Sequence, residues 1–300
     1  MAGKTCIIIA GPTAVGKTNV SIALAQHFTT AIVSADSRQC YNELNIGVAK
    51  PTREQLQLVK HYFINSHSIA ENVNAGMFEQ YALNAVDEIF LKCDTAIMVG
   101  GTGLYIRAFC EGMDAIPAPD AVLRDEISKR YNEEGIHWLQ NEIKEKDFLW
   151  YNTGEIQNPQ RIMRALEVVL HTGKSILSFQ HAAKAERNFK IIKIGLTLPR
   201  EELYRNINMR VDEMIKDGLE KEVRSLVQYR NLNALQTVGY REMFEYIDGA
   251  VDLDTAIGNI KKNTRHYAKR QLTWFTKDEA MHWFSPLDYN QLISYLRNLV

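Results

Sequence analysis

The sequence predicts an α/β fold, a parallel sheet core flanked by helices, with a helical insertion domain set into it. Three observations carry that expectation. The octet GPTAVGKT, residues 11–18, stands between the apolar run Cys6-Ile7-Ile8-Ile9-Ala10 and a helix-like stretch over residues 19–28. Strand, glycine loop, Lys-Thr and helix in that order match the P-loop pattern G-x-x-x-x-G-K-[ST], flanking elements included. Short β-branched runs alternate with helical stretches through the first third of the chain, as in βαβ units. By contrast, residues 115–188 contain no clear strand.

In chain order, residues 7–10, 31–35 and 95–99 are near-continuous apolar runs, the pattern of strands buried on both faces of a parallel sheet. Residues 19–28 and 78–92 read as helices between them, and Gly100-Gly101-Thr102-Gly103 punctuates the end of the third strand. Pro117 and Pro119 then mark a break. Helical pieces follow over residues 121–174, interrupted near Gly135 and between Gly154 and Pro159, and strand propensity returns only at Ile191-Ile192-Lys193-Ile194-Gly195-Leu196. A chain of 300 residues exceeds the usual single-domain size of roughly 100–150. The expectation is a core of residues 1–114 and 189–300, helical in its C-terminal part, and an insertion of residues 115–188. Ligands of such sheets sit at the carboxyl ends of the strands, so the glycine loop, Asp36 and Thr102 should converge on one crevice.

The glycine loop carries the most specific chemistry. Gly11 and Gly16 let the backbone turn so that successive N–H groups and a helix N-terminus point at one anion. Together Gly11, Pro12, Thr13, Ala14, Val15, Gly16, Lys17 and Thr18 form a diphosphate cradle in which Lys17 reaches the terminal phosphates and Thr18 offers its hydroxyl to Mg²⁺. The loop does not say which phosphorylated compound it holds, because a prenyl diphosphate presents nearly the same anion as a nucleotide. The strand over residues 95–99 ends in Gly-Gly-Thr rather than in the acid that helps hold Mg²⁺ in phosphoryl-transfer enzymes of this fold. The nearest strand-end acid is Asp36, in Ser34-Ala35-Asp36-Ser37-Arg38-Gln39. Two roles fit it, a base or metal partner and a helix N-cap.

Composition bounds the partners. With 46% apolar and 24% charged residues the chain is an ordinary globular protein, and a net charge of −1 confines any nucleic-acid binding to local basic patches. Charge is indeed segregated: residues 111–155 hold eleven acids against five bases, whereas residues 156–193 hold seven Lys or Arg against two acids. In the helix expected over residues 259–275, Lys261, Lys262, Arg265, His266, Lys269 and Arg270 fall in one half. Ile260, Thr264, Tyr267, Ala268 and Phe275 fall in the other. That basic face suits a phosphate backbone better than plain solvation, which stays open as the alternative. The four cysteines form no C-x-x-C pair or His/Cys cluster, which argues against zinc and disulfides. No signal-peptide layout opens the chain and no apolar run approaches the ~18 residues of a membrane span, so a cytosolic protein with no membrane partner is expected.

GPTAVGKT, SADSRQCY, Gly47-Val48-Ala49-Lys50-Pro51, GGTGLYIRA, NPQRIMRALEV, VGYREM and NTRHYAKRQLTWF resemble, in order and spacing, the motifs of the tRNA dimethylallyltransferases. The resemblance runs from about Thr5 to Phe284. Two departures are Val48, where Thr is common, and Phe63-Ile64-Asn65 in place of a more usual Leu-Ile-Asp. The resemblance implies a P-loop domain with a helical insertion that helps clasp the anticodon stem-loop of tRNA. It also implies transfer of a dimethylallyl group from dimethylallyl diphosphate to the exocyclic amine of adenosine 37, with release of pyrophosphate, by a monomer. Carried over residue by residue, it makes Asp36 the base, places Thr102 at the reacting nucleotide or bridging oxygen, and brings Arg210 to the diphosphate. By itself Arg210 reads equally as a surface partner of Asp212 or Glu213. For tRNA the resemblance nominates Asp36, Ser37, Arg38, Gln39 and Thr102, together with Arg124, Gln160, Arg161, Ile162, Met163 and Arg164. Arg161 and Arg164 stand one turn apart and are expected to face the same strand.

Two other readings compete. A P-loop kinase of a nucleoside or small metabolite would use Asp36 as base for a hydroxyl, but it lacks the strand-end acid. A nucleotide-dependent RNA-binding switch would need a base-recognition motif, and none is present.

Overall fold

The computed structural model describes residues 3–118, 120–180 and 184–299. Pro119, one of the two prolines expected to break the chain, lies outside them. The chain divides into two compact units, one formed by residues 1–111 and 186–300 and the other by residues 112–185.

The larger unit opens with β1 (Thr5–Ala10), α1 (Lys17–His27), β2 (Ile32–Ala35), α2 (Arg53–Leu58), β3 (His61–Tyr62), α3 (Ala75–Phe90), β4 (Thr95–Gly100) and α4 (Gly103–Glu111). The smaller unit follows with α5 (Ala121–Glu134), α6 (Ile136–Lys146), α7 (Phe148–Thr153) and α8 (Pro159–Thr172). The chain then returns through β5 (Lys190–Leu196), α9 (Arg200–Lys216), α10 (Leu219–Ser225), α11 (Tyr240–Ile247), α12 (Leu253–Phe275), β6 (Met281–Phe284) and α13 (Tyr289–Arg297).

All six strands pair in parallel, in the order β3-β2-β4-β1-β5-β6. β1 is central, with Ile7 opposite Ile97 on one side and Ile192 on the other. Successive strand side chains point to opposite faces. Cys6, Ile8 and Ala10 therefore join one core with Phe78, Ile106 and Met243, and Ile7 and Ile9 join the other with Leu24, Ile207 and Leu292. This two-sided burial is why the predicted strands read as unbroken apolar runs. Each fully buried isoleucine contributes about 1.5–3 kcal/mol.

The four strands expected from sequence are β1, β2, β4 and β5. The two it did not signal lie at the sheet's edges: β3 has only two residues, and β6 (Met-His-Trp-Phe) is only partly buried. Helix starts fall earlier than periodicity alone suggests because of capping. Asn74 accepts the Met77 N–H and starts α3 at Ala75, and Asp252 accepts the Thr255 N–H and starts α12 at Leu253.

The smaller unit has its own core, built on Ile127, Leu139, Ile143, Trp150, Ile162 and Leu166. α8 begins with Asn158 as cap and Pro159 in its first turn, and ends at Gly173, whose φ of 72° is left-handed. Among the described residues no helix is long and apolar enough to cross a membrane.

Candidate active site

The loop between β1 and α1 is bent by Gly11 at φ 148° and Gly16 at φ 98°, with Ala14 also left-handed at 63°. A side chain at Gly11 would meet the Leu196 carbonyl at 2.7 Å. The turn aims the start of α1 into the loop. Lys17 folds across it, its Nζ donating to the carbonyls of Gly11 (3.0 Å) and Pro12 (2.7 Å). Burial, then the nearby Arg210 guanidinium, pull the Lys17 pKa down to about 7, while the Asp36 carboxylate works the other way. Arg210 comes from α9 and donates to the Thr13 hydroxyl at 3.1 Å. Its burial likewise lowers its pKa, against Asp36 and Glu213. The surface pairing open to Arg210 in the sequence does not occur: Asp212 pairs with Lys261 at 2.6 Å instead. Among the described residues neither Lys17 nor Arg210 makes a salt bridge. Two cations crowded together, with Asp36 and Glu213 acting on them only from beyond salt-bridge distance, make a candidate anion site.

Across from them, at the end of β2, Asp36 Oδ1 accepts the N–H groups of Arg38 (2.9 Å) and Gln39 (3.2 Å). The cap-like role and a role in chemistry are therefore both available to Asp36, one oxygen holding the turn and the other remaining. Ser37 N–H donates to Thr102 Oγ1 at 3.1 Å, and Thr102 N–H to the Ala35 carbonyl at 3.2 Å, so the ends of β2 and β4 are tied together.

Two adjoining cavities of about 320 Å³ each meet at this wall. Both are lined by Thr13, Asp36, Val48, Ala49, Arg210 and Tyr267. The first runs on to Lys17 and Thr18, the second to Ser37, Arg38, Met214 and Arg270. Thr102 lines neither, so as placed it orients the Asp36 turn. No group of three or more His, Cys, Asp or Glu able to hold a metal occurs among the described residues. Thr18 lines the first cavity, and its hydroxyl is the kind of lone oxygen donor that Mg²⁺ accepts while keeping several waters.

Two residues on α12 belong to this site, Tyr267 from the helix's less polar half and Gln271, to which no motif assigns a role. Gln271, buried, accepts the Thr13 N–H at 2.8 Å and donates to the Gly101 carbonyl at 2.9 Å, bracing the glycine loop against the end of β4. The Tyr267 hydroxyl is pushed up to about 12 by burial and by the Asp36 charge, with Arg38, Arg270 and Thr102 acting oppositely. A glutamine on the buried side of an amphipathic helix was the available signal. The basic face expected on α12 is split. Lys261 and Arg265 anchor the helix to Asp212 and Asn208 on α9, and Lys262, His266, Lys269 and Arg270 stay at least partly exposed.

In the smaller unit the structure separates residues that the sequence had grouped. Ile162 and Met163 sit on the apolar stripe of α8, in the core, so their side chains are withdrawn from any RNA. Arg161 and Arg164 are not equivalent either. Arg161 is exposed and pairs with Glu155, itself exposed. Arg164 donates to the Pro117 carbonyl (2.7 Å) and, with Arg124, faces the buried Glu167. Their charge is committed to a carboxylate that would otherwise be buried alone. Gln160 is exposed at the start of the helix.

A model of the IPP transferase family matches residues 39–278. The chain is 49% identical to a tRNA dimethylallyltransferase of Cytophaga hutchinsonii, across 98% of this chain and 96% of that one. It is 50% identical to a tRNA dimethylallyltransferase of Christiangramia forsetii, across 93% and 92%. Its fold is similar to the crystal structure of a tRNA isopentenylpyrophosphate transferase of Bacillus halodurans, with TM-score 0.72, 34% identity and coverage of 98% and 95%. It is also similar to a eukaryotic dimethylallyltransferase acting on tRNA, with TM-score 0.79, 25% identity and coverage of 96% and 75%. On sequence and fold alike, the chain belongs to the IPP transferase family.

Proposed function

We propose that this enzyme transfers the dimethylallyl group of dimethylallyl diphosphate to the exocyclic amine of adenosine 37 in a tRNA anticodon loop, releasing diphosphate. The observation that carries the reading is the junction of two cavities at Asp36 and Arg210, one running to the cationic glycine loop and the other away from it. A diphosphate ester laid on the loop, with its allylic carbon at the junction, meets a nucleophile entering from the second cavity. The relatives' names supply the matching chemistry.

In this reading the diphosphate is held by the loop amides, Lys17 and Arg210, which stabilise the charge gathering on it as the carbon–oxygen bond breaks and the electron pair leaves with the diphosphate. Mg²⁺ held by Thr18 and the diphosphate oxygens would add Lewis-acid neutralisation of the same leaving group. The adenine amine forms the new carbon–nitrogen bond. Its proton passes to Asp36, whose turn is fixed by the Arg38 and Gln39 amides and whose position is braced through Ser37 and Thr102. The target base must leave its stack to enter the second cavity, at a cost of a few kcal/mol that is lowest in a loop. Arg38 at the second cavity and Arg161 and Gln160 on α8 are the residues we assign to the RNA, the Gln39 side chain being spent on Ser34, Val48 and Ala49. Arg124 and Arg164 are committed to Glu167 within the smaller unit instead. The enzyme of this reading acts in the cytosol, as a monomer.

The test is mass spectrometry of nucleosides from a tRNA incubated with the protein, Mg²⁺ and dimethylallyl diphosphate. A dimethylallyl adduct on the adenosine beside the anticodon is expected. Unmodified tRNA with intact donor would end this reading, and ATP consumption in a parallel incubation supplied with ATP would point to a kinase.

A further inference from the structure

The wall shared by the two cavities includes a short loop, residues 45–50, that polar side chains hold from two directions. Glu222, half-buried on α10, accepts the Ile46 N–H at 2.8 Å on one carboxylate oxygen. Its other oxygen accepts the Gly47 N–H at 3.0 Å and the Tyr240 hydroxyl at 2.6 Å. Gly47 lies flat on the buried Tyr240 ring, and a Cβ there would stand 2.5 Å from Cε2. Further along, the carbonyls of Val48 and Ala49 accept the Gln39 Nε2 at 3.2 and 3.0 Å, and Ala49 is left-handed at φ 48°. Gln39 is the residue whose own N–H holds Asp36 Oδ1.

These bonds form one continuous path from Glu222, through the loop and Gln39, to Asp36. The geometry points to Glu222 as a positioning residue for the transfer, an inference that rests on the function proposed above. It lines neither cavity. A carboxylate is required at one end because two backbone donors and a phenol converge on it, and only a group with two acceptor oxygens satisfies all three. The loop it fixes supplies Val48 and Ala49 to both cavities, where these residues line the same wall as Asp36 and Arg210. The glycine loop and Lys17 take no part in the path. Loosening Glu222 should therefore disturb the alignment of amine, base and carbon while leaving diphosphate binding alone. A misplacement of about 1 Å at reacting atoms costs up to roughly a hundredfold in rate.

The experiment uses the full chain with Glu222→Gln and Tyr240→Phe. Glutamine keeps the shape but turns an NH₂ group toward one of the two amides. Expected for Glu222→Gln are single-turnover dimethylallyl transfer slowed about ten- to a hundredfold, unchanged affinity for pyrophosphate by calorimetry, and reduced hydrogen-exchange protection at the amides of Ile46 and Gly47. Tyr240→Phe leaves both amides bonded and should keep most of the rate. A Glu222→Gln protein with wild-type rate, or with residues 46 and 47 still protected, overturns the inference. So does a parallel fall in rate, pyrophosphate affinity and melting temperature, which would make Glu222 merely a folding residue. These outcomes are read against a wild-type protein that transfers the group. A wild type that transfers none overturns the functional reading itself, and with it any positioning role.

Discussion

At the scale of single residues, the site brings together crowded cations and a strand-end carboxylate that holds a turn with one oxygen. Asp36 holds the Arg38 and Gln39 amides with one oxygen. Asparagine keeps that acceptor and caps about as well as aspartate, but it cannot take a proton from an amine. Asp36→Asn should therefore lower single-turnover transfer by roughly a hundredfold or more, the low end of what a general base contributes, with almost no change in melting temperature. Near-full activity in that variant would assign Asp36 to the turn alone. Lys17 gives a pH signature. Its pKa lies at about 7 in the folded protein against 10.5 for the free side chain, so the unfolded chain binds that proton more tightly. Its contribution to stability accordingly rises with pH between those values and is least favourable below them. A bound diphosphate favours the charged form, so at pH 8 binding of pyrophosphate should take up a proton. Calorimetry in two buffers of different ionisation enthalpy should show that uptake in the wild type and not in Lys17→Met. A buffer-independent enthalpy in the wild type would place the Lys17 ammonium away from the anion.

At the scale of elements, α8 shows how one helix divides its duties. Its apolar stripe fills the core of the smaller unit, Arg164 neutralises the buried Glu167, and Arg161 remains outside. Sequence spacing placed both arginines on one face, which is geometrically sound, but spacing does not reveal that a glutamate three residues on is buried beside the second. Two different outcomes follow. Arg161→Ala should reduce the slope of log affinity for tRNA against log salt by about 0.7–0.9 for each phosphate that the arginine neutralises, with stability unchanged, since its pair with Glu155 is exposed on both sides. Arg164→Ala should instead cost about 1–3 kcal/mol of stability by leaving Glu167 short of a partner, with Arg124 retaining part of the pairing. A salt slope that falls for Arg164 and not for Arg161, measured by filter binding, would reverse these assignments. α12 repeats the lesson, with Lys261 and Arg265 of its basic face spent on anchoring to α9 and its opposite side delivering Tyr267 and Gln271 to the cavities.

At the scale of the whole molecule, the anion site couples ligand binding to the stability of the fold. Pyrophosphate with Mg²⁺ at about a hundred times its dissociation constant should add about 2.7 kcal/mol, which for a chain of this size raises the melting temperature by several degrees. Lys17→Met should show a much smaller rise, and an equal rise in both proteins would locate the anion elsewhere. Much of this molecule is determined by its sequence alone. Four buried strands, the glycine loop with its helix, and the strandless middle segment are local patterns of polarity and backbone freedom, and neighbouring residues suffice to encode them. The cradle of Gly11 to Thr18 is legible for the same reason. Other features exist only where distant segments meet. The edge strands β3 and β6 are too short or too exposed to carry a periodicity. The Gln271 brace joins residues 258 positions apart, and the Glu222 clamp reaches across 176. Whether an arginine serves a phosphate or a buried carboxylate is decided by desolvation and by which oxygen lies within reach, and those are properties of packing that no stretch of sequence contains.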